Sequence, residues 1–151
     1  MNKKGVTLLE LIIVFVIIAI MAAFILPGIG SNWLPRYRLR SATRDIVSTM
    51  RTAQIRAISN NLTYRVNLNA GDMGVNNYVL QYTTAGIWVN EGAVQSLPSG
   101  ISIIANTLPG NYANFNPNST ASAGSVTLGN TKGATKNLSV TSGTGRIIIN
   151  W

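Results

Sequence analysis

The chain has no cysteine and no histidine among its 151 residues, and only four acidic residues. Without cysteine there is no disulfide, no thiolate nucleophile and no cysteine-bound metal. Without histidine the commonest general base and metal ligand is missing. The four acidic residues are scattered along the chain, so neither a paired-carboxylate site nor an acidic calcium loop is expected; they are Glu10, Asp45, Asp72 and Glu91. The composition therefore predicts no enzyme, with no catalytic residues, metal site, cofactor or small-molecule substrate.

Basic residues are in clear excess. Twelve Lys and Arg residues give the chain a formal net charge of +8, which favours contact with polyanions or acidic surfaces. The length suits one domain with a modest core plus an anchor.

A long apolar run begins close to the N-terminus. Between Val6 and Leu26 the only charged residue is Glu10. At about 1.5 Å per residue, a helix of this length spans a hydrocarbon core of about 30 Å, so we predict a transmembrane helix over residues 6–26. A charge near the centre of such a helix costs about 2.5 to 3.5 kcal/mol, and less toward its end. Glu10 therefore either has a partner in apolar surroundings or marks the headgroup boundary.

The residues before the run form a recognisable leader. Two lysines, Gly5 and the sequence Val-Thr-Leu-Leu-Glu precede it, and this order resembles type IV prepilins and type II secretion pseudopilins. The resemblance implies a leader over residues 1–5, cleavage after Gly5 by the prepilin peptidase and methylation of Val6, which stands where the family usually has Phe. An ordinary secretory signal cut near Met21-Ala22-Ala23 is the alternative, but its apolar region would be shorter and Glu10 would be unexplained.

Pro27 ends the uninterrupted apolar pattern, because proline lacks the amide donor and clashes with the preceding turn. We expect a kink there and a linker over residues 27–35. A second, amphipathic helix is predicted over residues 36–61, with apolar residues at intervals of three and four: Leu39, Ala42, Ile46, Met50, Ala53 and Ala57. Four arginines fall on a neighbouring arc, Arg36, Arg40, Arg44 and Arg51. They form either a solvated face or a surface for other subunits, acidic headgroups or DNA phosphates.

Residues 62–151 are predicted to be β-rich. Short alternating runs separated by turn residues indicate strands over 63–68, 78–83, 87–89, 101–105, 125–128, 137–141 and 146–150. The predicted fold is α+β and type IV pilin-like: a long N-terminal helix, with a transmembrane half and an amphipathic half, packs on an antiparallel sheet. Core packing or interfacial anchoring is the expected role of Trp33, Trp88 and Trp151.

The resemblance narrows within the second helix and at the C-terminus. The stretch Leu39 to Val47 and a last strand opened by Gly145-Arg146 resemble the GspH/FimT family of minor pseudopilins and minor pilins. This implies a filament subunit of a type II secretion system or type IV pilus, at the tip or in assembly initiation. Glu10 would pair with the amino group of a neighbouring subunit.

The same resemblance implies the location and the partners. The chain would cross the bacterial inner membrane once, with a cytoplasmic N-terminus and a periplasmic globular domain. Its partners would be the prepilin peptidase, other pilin or pseudopilin subunits and the assembly platform. Secretion, surface-pilus and competence filaments all remain open.

A DNA-binding minor pilin for natural transformation is the less favoured alternative. Some FimT-type proteins bind DNA through a C-terminal Gly-Arg-x-Arg element. Arg146 matches its first arginine, whereas Ile148 replaces the second. The polyanion contacts would then be Arg36, Arg40, Arg44, Arg51 and Arg146.

Overall fold

The structure, a computed structural model, describes residues 7–29, 33–68 and 76–150. Gly5, Val6, Asp72 and Trp151 lie outside the described residues. The chain divides between Leu34 and Pro35 into two compact units.

Helix α1, Leu8–Ile29, forms most of the first unit. Its backbone stays helical through Pro27 to Ile29, the first three residues of the predicted kink and linker. A proline removes a single amide donor, and the neighbouring hydrogen bonds can carry the helix past it. Whether the axis bends at Pro27 stays a prediction, and residues 30–32 of the predicted linker are not among those described.

Within residues 7–29, 33–68 and 76–150, no helix combines the length and apolar character required of a membrane span. The transmembrane assignment of residues 6–26 stays a prediction.

Helix α2, Trp33–Asn60, starts three residues before the predicted position. All six apolar residues of the predicted stripe are buried, so the predicted core face is confirmed. Thr43 and Val47 widen this face. The hydroxyl of Thr43 donates a hydrogen bond to the carbonyl oxygen of Leu39 at 2.7 Å, which satisfies a polar group that would otherwise be costly to bury.

Nine strands follow α2 in the described part of the chain: β1 (Tyr64–Leu68), β2 (Asn77–Thr84), β3 (Ile87–Asn90), β4 (Gln95–Ser96), β5 (Ile101–Asn106), β6 (Tyr112–Phe115), β7 (Gly124–Asn130), β8 (Thr135–Val140) and β9 (Ile147–Asn150). They form two sheets in which all neighbouring strands are antiparallel. The first sheet has the order β3-β2-β1-β6, with β4 beside β2, and the second has the order β5-β7-β8-β9.

The α+β fold with a helix packed on antiparallel strands is confirmed, but there are two sheets where one was predicted, and β4 and β6 were not predicted. Strand β6 follows a short 3₁₀ turn, Pro109–Asn111, and pairs with β1, which lies far away in the sequence. One hydrophobic cluster joins α2 to both sheets. Its largest fully buried side chains include Leu39, Ile46 and Met50 from α2, Leu68 and Phe115 from the first sheet, and Leu128 and Leu138 from the second.

Candidate assembly surfaces

The start of α1 is fixed by Thr7. Its hydroxyl oxygen accepts a hydrogen bond from the backbone amide of Glu10 at 3.2 Å, and its carbonyl oxygen accepts one from the amide of Leu11 at 3.2 Å. Thr7 and Glu10 thus have the Thr-x-x-Glu spacing of a helix capping box. This role of Thr7 was not predicted, although the spacing is visible in the sequence. Glu10 is exposed, and its pairing with another subunit stays a prediction.

The arginines of α2 fall into two groups. Arg38 and Arg56 contact the connections between strands: the guanidinium of Arg38 donates hydrogen bonds to the carbonyl oxygen and hydroxyl of Ser99 at 3.2 and 3.1 Å, and Arg56 forms an ion pair with Glu91. The other four, which are the predicted ones, are all exposed.

Beyond the first turn of α2, three large apolar side chains share the exposed side of the helix with those arginines. Tyr37 is 58% exposed, Ile55 66% and Ile58 49%. At about 100° per residue, the seven side chains fall within an arc of about 100°. We call this surface the arginine face, and it consists of Arg36, Tyr37, Arg40, Arg44, Arg51, Ile55 and Ile58.

Arg146 lies in the β8–β9 hairpin, beside α2. The side-chain amide of Gln54 donates a hydrogen bond to the carbonyl oxygen of Thr144 at 3.3 Å, and Gln54 follows Arg51 by three residues. Gly145 has a backbone φ of +60°, which favours glycine. Arg146 itself is exposed. The structure therefore brings the hairpin to the C-terminal part of the arginine face, but Arg146 does not belong to that face.

Arg65 is stacked between two aromatic rings on the first sheet. Its guanidinium carbon lies 4.0 Å from the ring centre of Trp88 and 3.9 Å from that of Tyr112. Its Nε donates to the side-chain oxygen of Gln81 at 2.7 Å, and Gln81 in turn donates to Asn90 at 2.7 Å. Burial lowers the pKa of Arg65, and the neighbouring Tyr112 opposes this shift. Because both faces of the guanidinium are covered, this group stabilises the sheet through cation–π contacts.

A polar groove of about 440 Å³ lies between α2 and the first sheet. It is lined by Asp45, Ser48, Thr49, Thr52, Tyr78, Leu80, Glu91 and Gln95. Burial raises the pKa of the Tyr78 hydroxyl, the negative charge of Asp45 raises it further, and a hydrogen bond with Thr49 opposes the shift. No three potential metal ligands among His, Cys, Asp and Glu come together in the described residues.

Comparison with known proteins gives one sequence match and several structural ones. Residues 1–26 match the prokaryotic N-terminal methylation motif. No curated protein matches the chain by sequence.

The structural matches are to pilus and secretion subunits. The minor pseudopilin EpsH from the type 2 secretion system of Vibrio cholerae is similar with a TM-score of 0.62 and 10% identity, over 75% of this chain and 96% of that one. The type IV minor pilin FimU of Pseudomonas aeruginosa is similar with a TM-score of 0.60 and 16% identity, over 77% of this chain and 90% of that one. At these identities the likeness establishes the fold.

Proposed function

We propose that this chain is a minor pilin or minor pseudopilin, because it combines the N-terminal methylation motif with a fold similar to those of EpsH and FimU. It would be a structural subunit of a type IV pilus or type II secretion filament, acting at the tip or in the initiation of assembly.

The observation that carries the proposal is the agreement of two independent features. The motif occupies only residues 1–26, whereas the structural likeness covers about three quarters of the chain. At 10 to 16% identity, the similarity of fold is a separate observation from the sequence motif. A prepilin-type N-terminus on a minor-pilin body is what a filament subunit requires.

The proposal assigns a role to each end of α1. The prepilin peptidase would cut after Gly5 and methylate Val6, leaving Thr7 as the second residue of the mature chain. Large apolar side chains along α1 are exposed, from Leu8 at 78% to Met21 at 62%. A helix that is apolar on all sides is stable only in apolar surroundings. The inner membrane would supply them before assembly and neighbouring helices afterwards, with the body in the periplasm.

Glu10 would then gain a partner on assembly. In a bundle of apolar helices, its carboxylate would pair with the N-terminal amine of a neighbouring subunit. A buried ion pair contributes little net stability but strongly disfavours misaligned arrangements, because these leave a charge unpaired. Glu10 would therefore set the register of the helices.

DNA uptake is a second candidate, supported by one specific observation. Arg146 is exposed on a hairpin that contacts α2 at Gln54, close to Arg51. In a DNA complex, one phosphate backbone would contact both arginines. We place this function second because the element that resembles the DNA-binding motif has Ile148 in place of its second arginine.

The proposal is tested first by the chemistry of the N-terminus. Intact mass of the protein extracted from membranes should show loss of residues 1–5 and gain of one methyl group. Gly5→Val should leave the leader uncut, as should deletion of the peptidase in the producing cell. Retention of residues 1–5 in peptidase-positive cells would contradict the proposal.

A strain in which the gene is deleted identifies the filament system that uses this protein: type II secretion, a surface pilus or DNA uptake. Protein secretion, pilus display and DNA uptake are measured side by side, and the same strain carrying the intact gene is the control. We expect loss of secretion or of pilus display. Loss of DNA uptake alone would promote the second candidate.

A further inference from the structure

The arginine face of α2 differs from an ordinary solvated surface in its composition. Its charges are all arginine, and α2 contains no lysine, although Lys132 and Lys136 occur near and within β8. The planar guanidinium binds carboxylates in a bidentate manner and is more weakly hydrated than an ammonium group. Arginine mixed with exposed Tyr and Ile resembles the composition of protein interfaces, which are enriched in Arg and Tyr.

The sequence of α2 places no carboxylate at helical contact spacing from Arg36, Arg44 or Arg51. Arg36, Arg40 and Arg44 succeed one another at the i,i+4 spacing, where like charges destabilise a helix by about 0.2 to 0.5 kcal/mol per pair. The one carboxylate of α2, Asp45, lines the groove with Tyr78.

A protein partner fits this face better than a membrane or DNA. A helix lying on a bilayer keeps its apolar and cationic residues on opposite faces, but here Ile55 and Ile58 share one arc with Arg44 and Arg51. A phosphate backbone would satisfy the arginines and leave the isoleucines exposed to water. A neighbouring helix that carries both carboxylates and apolar groups satisfies both sets.

We propose that the arginine face docks against a carboxylate-bearing helix of a different pilin-like subunit. The inference rests on the proposed function and specifies the partner of this chain in the filament. Two copies of this chain facing each other through α2 would bring arginine against arginine. The contact is therefore heterotypic, and the electrostatic complementarity that would favour the correct partner also disfavours self-association.

The absence of cysteine gives a clean cross-linking experiment on the full-length chain. Ile55→Cys places a single thiol within the arginine face, and Lys132→Cys places one on the exposed β7–β8 turn as the matched control. Each variant is labelled with a benzophenone maleimide in the membrane, before filament assembly is induced, and the sheared filaments are then irradiated. The cross-linked peptides are identified by mass spectrometry.

At position 55, the expected adduct joins this chain to another protein whose N-terminus carries the methylation motif. The cross-linked residue of that protein should lie in a helix, within one turn of an Asp or Glu. Position 132 should not give this adduct. A homotypic adduct, a lipid or DNA adduct, or no adduct at position 55 in filaments that contain the subunit would each overturn the inference. Absence of the subunit from filaments would instead contradict the proposed function.

Charge reversal gives an independent test. The double variant Arg44→Glu and Arg51→Glu should lower incorporation into filaments by about tenfold or more, as expected for loss of close charge pairs. The matched control, Lys132→Glu with Lys136→Glu, has the same change in net charge and should stay within about twofold of the parent. Replacing the cross-linked partner carboxylate by Arg should restore incorporation of the double variant. Equal losses in both double variants would show that only the net charge matters.

Discussion

Gly145 lies so close to Gln54 that a Cβ atom added to the glycine would be 2.7 Å from the side-chain nitrogen of Gln54. The same Cβ would lie 2.9 Å from the backbone oxygen of Ser119, which cannot swing away as a side chain can. Gly145 therefore allows the β8–β9 hairpin to pack against α2. The glycine that opens the last strand has a packing role as well as a conformational one.

Gly145→Ala should lower the free energy of unfolding of the second compact unit by about 2 to 3 kcal/mol, because it combines left-handed backbone strain with a steric clash. Gly133→Ala is the matched control: its φ is +78° and no atom lies within 4 Å of the added Cβ. This variant should lower the free energy of unfolding by about 1 kcal/mol, since it adds backbone strain without a clash. Urea unfolding of both variants, followed by near-ultraviolet circular dichroism, measures the difference. Equal losses would show that the contacts with Gln54 and Ser119 relax without cost.

Tyr78 should make the free energy of unfolding of the second compact unit, which begins at Pro35, decrease at alkaline pH. Its pKa is raised in the folded state, so above pH about 10 the unfolded chain loses the hydroxyl proton first. Stability is therefore complete below that pH and declines as the pH rises toward the folded-state pKa. Tyr78→Phe should flatten this decline in urea titrations between about pH 9 and 11.5. The exposed Tyr37→Phe is the control, and an unchanged slope in Tyr78→Phe would contradict the prediction.

The parts of the fold that depend on local pattern could be predicted from the sequence. The spacing of Leu39, Ile46 and Met50 identifies the buried side of α2, because helical periodicity places such residues on one face. The charged side of α2 was predicted for the same reason. The capping role of Thr7 could have been found from its spacing to Glu10.

The features that depend on distant pairing could not be predicted. Strand β6 exists because it pairs with β1, and nothing in its four residues identifies that partner. The stacking of Arg65 between Trp88 and Tyr112 requires the correct register of four strands, β3, β2, β1 and β6, which joins residues far apart in the sequence. Likewise, Asp45 and Glu91 line the same groove only because α2 packs on the first sheet.

Arg146 allows the DNA hypothesis to be tested directly. We expect the full-length protein in detergent to bind duplex DNA weakly, with an affinity that falls steeply with salt, and we expect Arg146→Ala to leave it unchanged. Lys132→Ala, another exposed basic residue, is the control. Fluorescence anisotropy over a range of salt concentrations measures both the affinity and the slope. A tight complex at about 150 mM salt that is lost in Arg146→Ala, with the log–log slope reduced by about one, would favour the DNA-uptake function.

Glu10 combines a helix-capping position with a charge, and two substitutions separate them. Glu10→Gln keeps the backbone bond to Thr7 and a side chain of the same shape but removes the charge. Thr7→Ala keeps the charge of Glu10 but removes the hydroxyl that accepts a hydrogen bond from the backbone amide of Glu10. This loss should cost about 1 kcal/mol in helix stability. If the carboxylate pairs with the N-terminal amine of a neighbour, Glu10→Gln should insert into the membrane normally, because an uncharged side chain is cheaper there. It should nevertheless be lost from sheared filaments, whereas Thr7→Ala should still be incorporated. The opposite order of effects would show that Glu10 acts through the helix cap and that the charge has no partner in the filament.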